Sequence, residues 1–491
     1  MALPILSIMI SLPLIGAGIT YLMGKENVRA SKFFAVGVTL ATFLLSIVTI
    51  TKIDFTNPSY QLVEEHIWAR SFGMTYLMGV DGISYPFILL TTLLSLMAVA
   101  SSWHIDHRTN THYALLLLLQ AALTGVFTSL DLFLFYIFWE IVLVPMYFLI
   151  GIWGGPRREY SAIKFFIYTH FASLAVLLSI IAFYFNTTPH TFSMIEIAKV
   201  APTYSHTLQT ILFAALFFGF AVKMPTFPFH TWLPDAHVEA PTAGSIHLAG
   251  VLLKMGGYGL IRLGVMMIPD GARTLAPVMV ILAVLSAFYG AFCAMAQKDI
   301  KKLIAYSSVS HMGYVLLGIA AFNVIGISGA IYEMMAHGII TGGLFFLSGI
   351  IHDHAGSRII EKIIGFGKRT PIMTAIIAIS FLASMGLPGL AGFVAEFLIF
   401  VGAFSAYKFV TIIVVFSVVF TAGYFLWTLQ RLAFRPPHPN LPEHIEDMET
   451  WTELIPLLIL VFLMVLLGVY PPHLLNMMDA SVRNLVLIIG G

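Results

Sequence analysis

Two lysines, two glutamates and two histidines stand inside long apolar runs, where each could carry or exchange a proton. Lys223 follows the run 212–222 (LFAALFFGFAV) and is followed at once by Met224-Pro225-Thr226-Phe227-Pro228, so a cation and a helix break coincide. A charge at the centre of a bilayer costs about 2.5–3.5 kcal/mol on insertion scales, and broken backbone is tolerated there only where protein or a wet cavity surrounds it. That pairing points to an ion path. Glu140, in DLFLFYIFWEIVLVPMYFLIG, lies nine residues past Asp131, roughly 14 Å into a helix. Lys254, in GSIHLAGVLLKMGGYG, is eleven residues beyond Ala243, about 16 Å in, with His247 two turns before it on the same face. His311 has Ser307 one turn away, and His337 has Glu333 four residues before it. Glu396 follows a second break at Leu387-Pro388-Gly389.

Taken singly, each residue has an ordinary structural explanation: a membrane histidine can be a hydrogen-bonded packing residue, and Glu140 or Lys254 half of an ion pair. Taken together, two lysines and two glutamates at about 3 kcal/mol each cost on the order of 10 kcal/mol to insert. A proton relay accounts for the set more economically. Amines and carboxylates held out of water exchange protons near neutral pH, because burial disfavours the charged form of each. A sodium site would want several oxygen ligands, and the lysines argue against one. His352-Asp353-His354 reads as solvated loop rather than a metal site.

Other chemistries find no support. A single cysteine, Cys293, reads as a small core residue and excludes an internal disulfide or a cluster held by thiolates of this chain. There is no G-x-x-x-x-G-K-[ST] and no G-x-G-x-x-G, so nucleotide binding has no support, and no nucleic-acid partner is expected. Gly256, Gly257 and Gly259 read as close helix packing.

The elements that position these residues must be membrane helices, since 59% of the 491 residues are hydrophobic and only 10% are charged. Apolar stretches long enough to span recur at 3–23, 31–52, 83–103, 112–130, 131–153, 161–186, 207–230, 243–266, 274–296, 300–320, 323–352, 371–406, 408–434 and 453–471, fourteen in all. The first lacks a basic leader and a small-residue cleavage site, so it is expected to remain as the first helix. With loops assigned alternately to two sides, sixteen Lys and Arg fall on one and seven on the other. The remaining two of the 25 are Lys223 and Lys254, inside helices. The basic side is expected to be inside, with both termini outside. The segments 53–82 and 187–206 are too short to form a domain.

The fold class expected is an all-α polytopic membrane protein of about fourteen transmembrane helices. Breaks carrying a charge fall in the seventh and twelfth stretches, five apart, which points to two inverted five-helix repeats. The divisions expected are helices one to three (1–110), a first repeat of helices four to eight (111–266), a second of helices nine to thirteen (267–435), and helix fourteen (436–491).

The strings KMPTFPFHTWLPDAHVEAPT and LAGVLLKMGGYGLIR resemble the signature of the antiporter-like membrane subunits of respiratory complex I. IAYSSVSHMGYVLLGI, MMAHGIITGGLFFLSG and GLPGLAGFVAEF resemble the family's later segments, so the similarity runs over most of 83–435. In that family the charge of the twelfth helix is typically lysine in L-type, N-type and Mrp antiporter subunits and glutamate in the M-type; here it is Glu396. The chain ends soon after helix fourteen without the L-type's long lateral helix, which also favours the M-type. The resemblance implies a proton-pumping subunit in a prokaryotic plasma membrane. Its partners would be L-type and N-type subunits and a peripheral redox arm. Flavin, iron–sulfur clusters and quinone or methanophenazine would be carried by those partners, none by this chain. The electron donor, whether NADH, reduced F420 or ferredoxin, is left open. In the family's scheme Glu140 pairs with Lys223, Lys254 connects, His311 and His337 bridge the halves, and Glu396 is the terminal group; His230 and Glu333 would orient the breaks or the cavity. A Mrp-type sodium/proton antiporter subunit is the alternative on the same scaffold.

Overall fold

The computed structural model describes residues 3–23, 27–439, 441–442, 445–448 and 450–490. Lys25, counted among the inside cations, lies outside them. Among the described residues, thirteen helices are long and apolar enough to cross a membrane, from Ile5–Leu22 and Val28–Ile50 through to Lys408–Phe434 and Trp451–Val469. They coincide with thirteen of the fourteen expected stretches. The remaining stretch, 371–406, is two shorter apolar helices, Pro371–Ser384 and Ala391–Ala406. The break between them contains Gly386 and Gly389, at φ +75 and +90, a conformation that only glycine adopts without strain.

Burial sorts the helices into a centre and a wall. The eighth span, Thr242–Val265, is wholly buried over its apolar window, and the tenth (Ile300–Ala320) and eleventh (Val324–Ala355) are 94% buried. These three carry Lys254, His311 and His337. Side-chain caps fix where several spans start: Asp131 accepts from Phe133 and Leu134, Asp299 from Lys301 and Lys302, and Ser205 from Leu208. Each satisfies amides that the first helical turn leaves unpaired.

One end of the helical bundle also carries a short two-stranded sheet. Residues 53–82 include an antiparallel hairpin, β1 (Gln61–Ala69) and β2 (Met74–Val80). Its turn passes through Gly73 at φ +64, and β-branched and aromatic residues recur along both strands. The hairpin straps that end: the Glu64 carboxylate accepts from the Leu6 amide at 2.8 Å, and the Thr75 amide donates to Asp131 at 3.0 Å. The segment 436–491 also holds more than helix fourteen. An amphipathic helix, Pro472–Ile488, buries Leu474, Met478, Val482 and Leu485 against the same end. The Gly82 amide donates to Ser481 Oγ at 3.0 Å and Arg273 donates to the Gly490 carbonyl at 2.9 Å. The chain therefore begins and finishes its described course at one end, as an even number of passes requires.

At the opposite end Lys32 pairs with Asp106 at 2.8 Å and Arg358 with Asp299 at 2.7 Å. The hydrogen bond and charge of Lys32 hold the Asp106 carboxyl below the usual carboxylate range. His352, Asp353 and His354 belong to the last turn of Val324–Ala355 rather than to a loop, because the helix runs on until Gly356 turns it at φ +66. His352 and Asp353 are exposed, as expected, while His354 bonds Glu453 at 3.1 Å. Cys293 is half-buried. Gly256 and Gly259 do serve close packing: a Cβ at 256 would sit 2.8 Å from the Met224 amide nitrogen, and one at 259 would meet the Phe220 ring.

Candidate functional site

Local breaks in helical hydrogen bonding position every charged residue of the central path. The fifth span turns at Val142, between Leu132–Ile141 and Leu143–Trp153. Pro145 supplies the cause, since it has no N–H to return to the Ile141 carbonyl. Glu140 is therefore the penultimate residue before a kink. Lys223 is the last residue of His206–Lys223, and the chain becomes helical again only at Trp232. The groups freed by this break find partners: Trp232 Nε1 donates to the Val222 carbonyl at 2.9 Å, and the Phe227 amide to Ser286 Oγ at 2.9 Å. Lys254 lies between two π-helical turns, Leu248–Leu252 and Leu260–Val265, the kind of insertion that re-aims side chains within a helix. Its ammonium donates to the carbonyl of Ala249, five residues back.

From Lys254 the polar groups run across the centre. Lys254 Nζ is 2.7 Å from His337 Nδ1. The His337 and His311 rings stand edge to face at 5.5 Å, and His311 Nε2 is 3.9 Å from Glu396 Oε1. Glu333 is buried in the same region, within the electrostatic reach of both Lys254 and Glu396. Glu396 packs against the second break, where a Cβ at Gly386 would run into its Oε2.

The first half is arranged differently from the expectation. Glu140 Oε2 accepts from His170 Nδ1 at 2.9 Å. Lys223 Nζ has no hydrogen-bond partner and lies 5.2 Å over the Trp139 ring. Lys223 feels the charge of Glu140, yet among the described residues no ion pair within 4.0 Å joins them. His247 bonds Ser95 Oγ at 3.1 Å rather than any member of the path. His230 packs between the rings of Phe227 and Tyr289.

Two buried or half-buried residues went unnoticed in the sequence, and a third was counted only among the cations of the basic loops. His170 is one. His237, fully buried, stacks parallel to Phe345 at 4.2 Å, with no hydrogen bond to either ring nitrogen. Its place in the string LPDAHVEAPT beside the first break was the available signal. Lys301 is the third, buried and donating to the Ala240 carbonyl at 2.5 Å. It lines a cavity of about 210 Å³ with Glu239, Thr242, His104, Asp353 and Arg358.

Chemically, the arrangement can hold and pass protons among amines, imidazoles and carboxylates. Several of its buried polar atoms, including Lys223 Nζ, Glu140 Oε1, both His311 nitrogens and Glu333 Oε2, have no hydrogen-bond partner among the described residues. Such atoms suit bridging by water at a polar site.

Comparison with known proteins agrees with this architecture. The family described as NADH:quinone oxidoreductase/Mrp antiporter, TM, matches residues 129–421. The family described as NADH-ubiquinone oxidoreductase chain 4, amino terminus, matches residues 44–128. NADH-quinone oxidoreductase subunit M of Rhodobacter capsulatus is 42% identical over 495 residues, covering 98% of this chain and 96% of that protein. The F(420)H(2) dehydrogenase subunit M of Methanosarcina mazei is 38% identical over 497 residues, covering 100% and 99%. A chain of respiratory complex I from Thermus thermophilus superposes with a TM-score of 0.89 at 27% identity, covering 99% of this chain and 100% of that one. A chain of the Mrp complex from Dietzia shares the fold with a TM-score of 0.87 at 22% identity, covering 100% of each. By these matches over nearly its whole length, the chain belongs to the NADH:quinone oxidoreductase/Mrp antiporter family of transmembrane subunits.

Proposed function

We infer that the chain is the M-type, proton-translocating subunit in the membrane arm of a complex I-type oxidoreductase, driven by electron transfer in other subunits. The observation that carries this reading is the buried run Lys254, His337, His311 and Glu396, whose contacts of 2.7, 5.5 and 3.9 Å cross the bundle centre. It ends on a glutamate at the second break. The near full-length likeness to subunit M proteins supports the M-type assignment.

Protons would enter from the end that carries the Lys301 cavity and the cationic loops, which the positive-inside rule puts inside. They would pass through Lys223 and Lys254 to leave at Glu396. Both chain ends would then lie outside, and the two broken spans would be equivalent members of inverted repeats. Moving one charge against 100 mV takes about 2.3 kcal/mol, and the redox chemistry that releases it would lie on other subunits. The energy would arrive by contact from neighbouring L-type and N-type subunits and a redox arm holding flavin, iron–sulfur clusters and quinone or methanophenazine.

Glu140→Gln in the assembled complex tests the reading. Loss of most proton translocation, with quinone reduction slowed alongside it, is expected; full activity with normal proton yield would sink it. Sodium-dependent exchange without any co-purifying redox subunit would move the chain to the Mrp-type antiporters.

A further inference from the structure

His170 lies on the outer wall of the sixth span, Arg158–Asn186, in the row Ile163, Ile167, His170, Leu174 and Leu178. The four neighbours in that row are 48, 59, 40 and 66% exposed, and the His170 side chain is 45% exposed. These positions recur at helical spacing along the face that meets lipid or a neighbouring subunit. What holds His170 there is a polar contact that points inward: Nδ1 bonds Glu140 Oε2 at 2.9 Å, and the ring stacks on Phe166 at 5.4 Å with 15° between planes.

Glu140 thus stands between two bases and touches one. Its Oε2 is taken by His170, its Oε1 has no hydrogen-bond partner among the described residues, and Lys223 Nζ, buried 5.2 Å over the ring of Trp139 next to Glu140, has none either. A carboxylate can rotate from one neighbour to the other, because both bases converge on the same kinked end of Leu132–Ile141.

We propose that His170 is the alternate partner of Glu140, holding the carboxylate off Lys223 in one state of the pump and yielding it to Lys223 in the other. With Glu140 on His170, the lysine ammonium lacks a close counter-ion and its proton can move on toward Lys254. With Glu140 on Lys223, the ammonium is held and the imidazole is left at the wall. His170 is therefore a positioning residue, acting through Glu140. The proposal rests on the proton-translocating reading above.

The test uses the whole complex in native membrane vesicles, measuring donor-driven proton uptake and quinone reduction, with assembly checked on native gels. His170→Leu, unable to hold the carboxylate, is expected to lower proton uptake by about 10-fold or more while the complex assembles. His170→Phe, which keeps a ring against Phe166, replaces it should leucine disturb assembly. His170→Gln, whose amide can donate the same bond, is expected to recover most of the loss. Glu140→Gln with His170→Leu is expected to be no worse than Glu140→Gln alone, since the two act through one contact. Lost pumping in Glu140→Gln with full pumping in the His170 variants overturns this proposal alone, as does a double variant whose losses multiply. Full pumping in Glu140→Gln overturns the functional reading and this proposal with it.

Discussion

Lys254 Nζ and His337 Nδ1 lie 2.7 Å apart in the fully buried centre of the bundle, two bases in direct contact. A lysine ammonium can only donate, so while it keeps its proton His337 Nδ1 must be the lone-pair nitrogen. The ring proton then sits on Nε2, which has no protein partner. Passing a proton through His337 therefore means taking one at Nδ1 and releasing one from Nε2. The edge-to-face His311 ring stands next, 5.5 Å away, with Glu396 3.9 Å beyond it.

That contact predicts that Lys254→Arg is not a conservative change. Arginine keeps the charge and can still donate to His337, but its guanidinium does not give up a proton in proteins. The complex should assemble, and proton uptake should fall by about 10-fold or more, equivalent to about 1.4 kcal/mol or more on the barrier. His337→Gln should do the same, and the double variant should be little worse than either single one. Wild-type pumping in Lys254→Arg, measured with assembly confirmed, would remove Lys254 from the path.

The second break offers a matched pair of substitutions. Gly386 and Gly389 both have positive φ, so alanine at either strains the backbone by about 1–2 kcal/mol. Only at Gly386 would the new Cβ run into Glu396; at Gly389 it would meet nothing within 4 Å. Both variants should lose a few degrees of thermal stability in detergent. Gly386→Ala should in addition lose most of its proton uptake, while Gly389→Ala keeps it. Equal pumping in the two would mean that the position of Glu396 does not matter to transport.

The buried charges were legible for one reason: a charge within an apolar run stands out whatever the fold. Lys223, Lys254 and Glu396 were found that way, and proline and glycine marked the two breaks. His170 was not found, because KFFIYTHFASL sets it among Tyr168, Thr169 and Ser173 without showing which of these polar residues faces inward. The Glu140–Lys223 pairing implied by family resemblance did not anticipate that His170 takes the carboxylate. The π-helical turns around Lys254 have no residue pattern of their own, since shifting one hydrogen bond from i−4 to i−5 leaves composition unchanged. The helix Pro472–Ile488 escaped a search for continuous apolar runs because its buried residues recur on one face only. The hairpin escaped because adjacent Glu64 and Glu65 interrupt the strand alternation of β1.

A second buried ion pair is predicted to matter for assembly rather than transport. Arg262 and Asp81 contact each other with side chains only 5% and 3% exposed, and the rings of Tyr60 and Tyr258 flank the guanidinium at 5.5 and 5.7 Å. The pair joins the far end of the Lys254 helix to the end strapped by the hairpin and the last helix, well away from the His311 and Glu396 contacts. Removing one partner strands the other charge without compensation, a loss of about 3–5 kcal/mol, whereas replacing both can be nearly neutral. Arg262→Met should therefore sharply lower the amount of assembled complex in the membrane, and Asp81→Asn should do the same. Combining them should restore much of it, and the complexes that form should pump at the normal yield per electron. Normal assembly in the single variants, or a double variant that assembles yet fails to pump, would instead put Asp81 and Arg262 among the groups that move the proton.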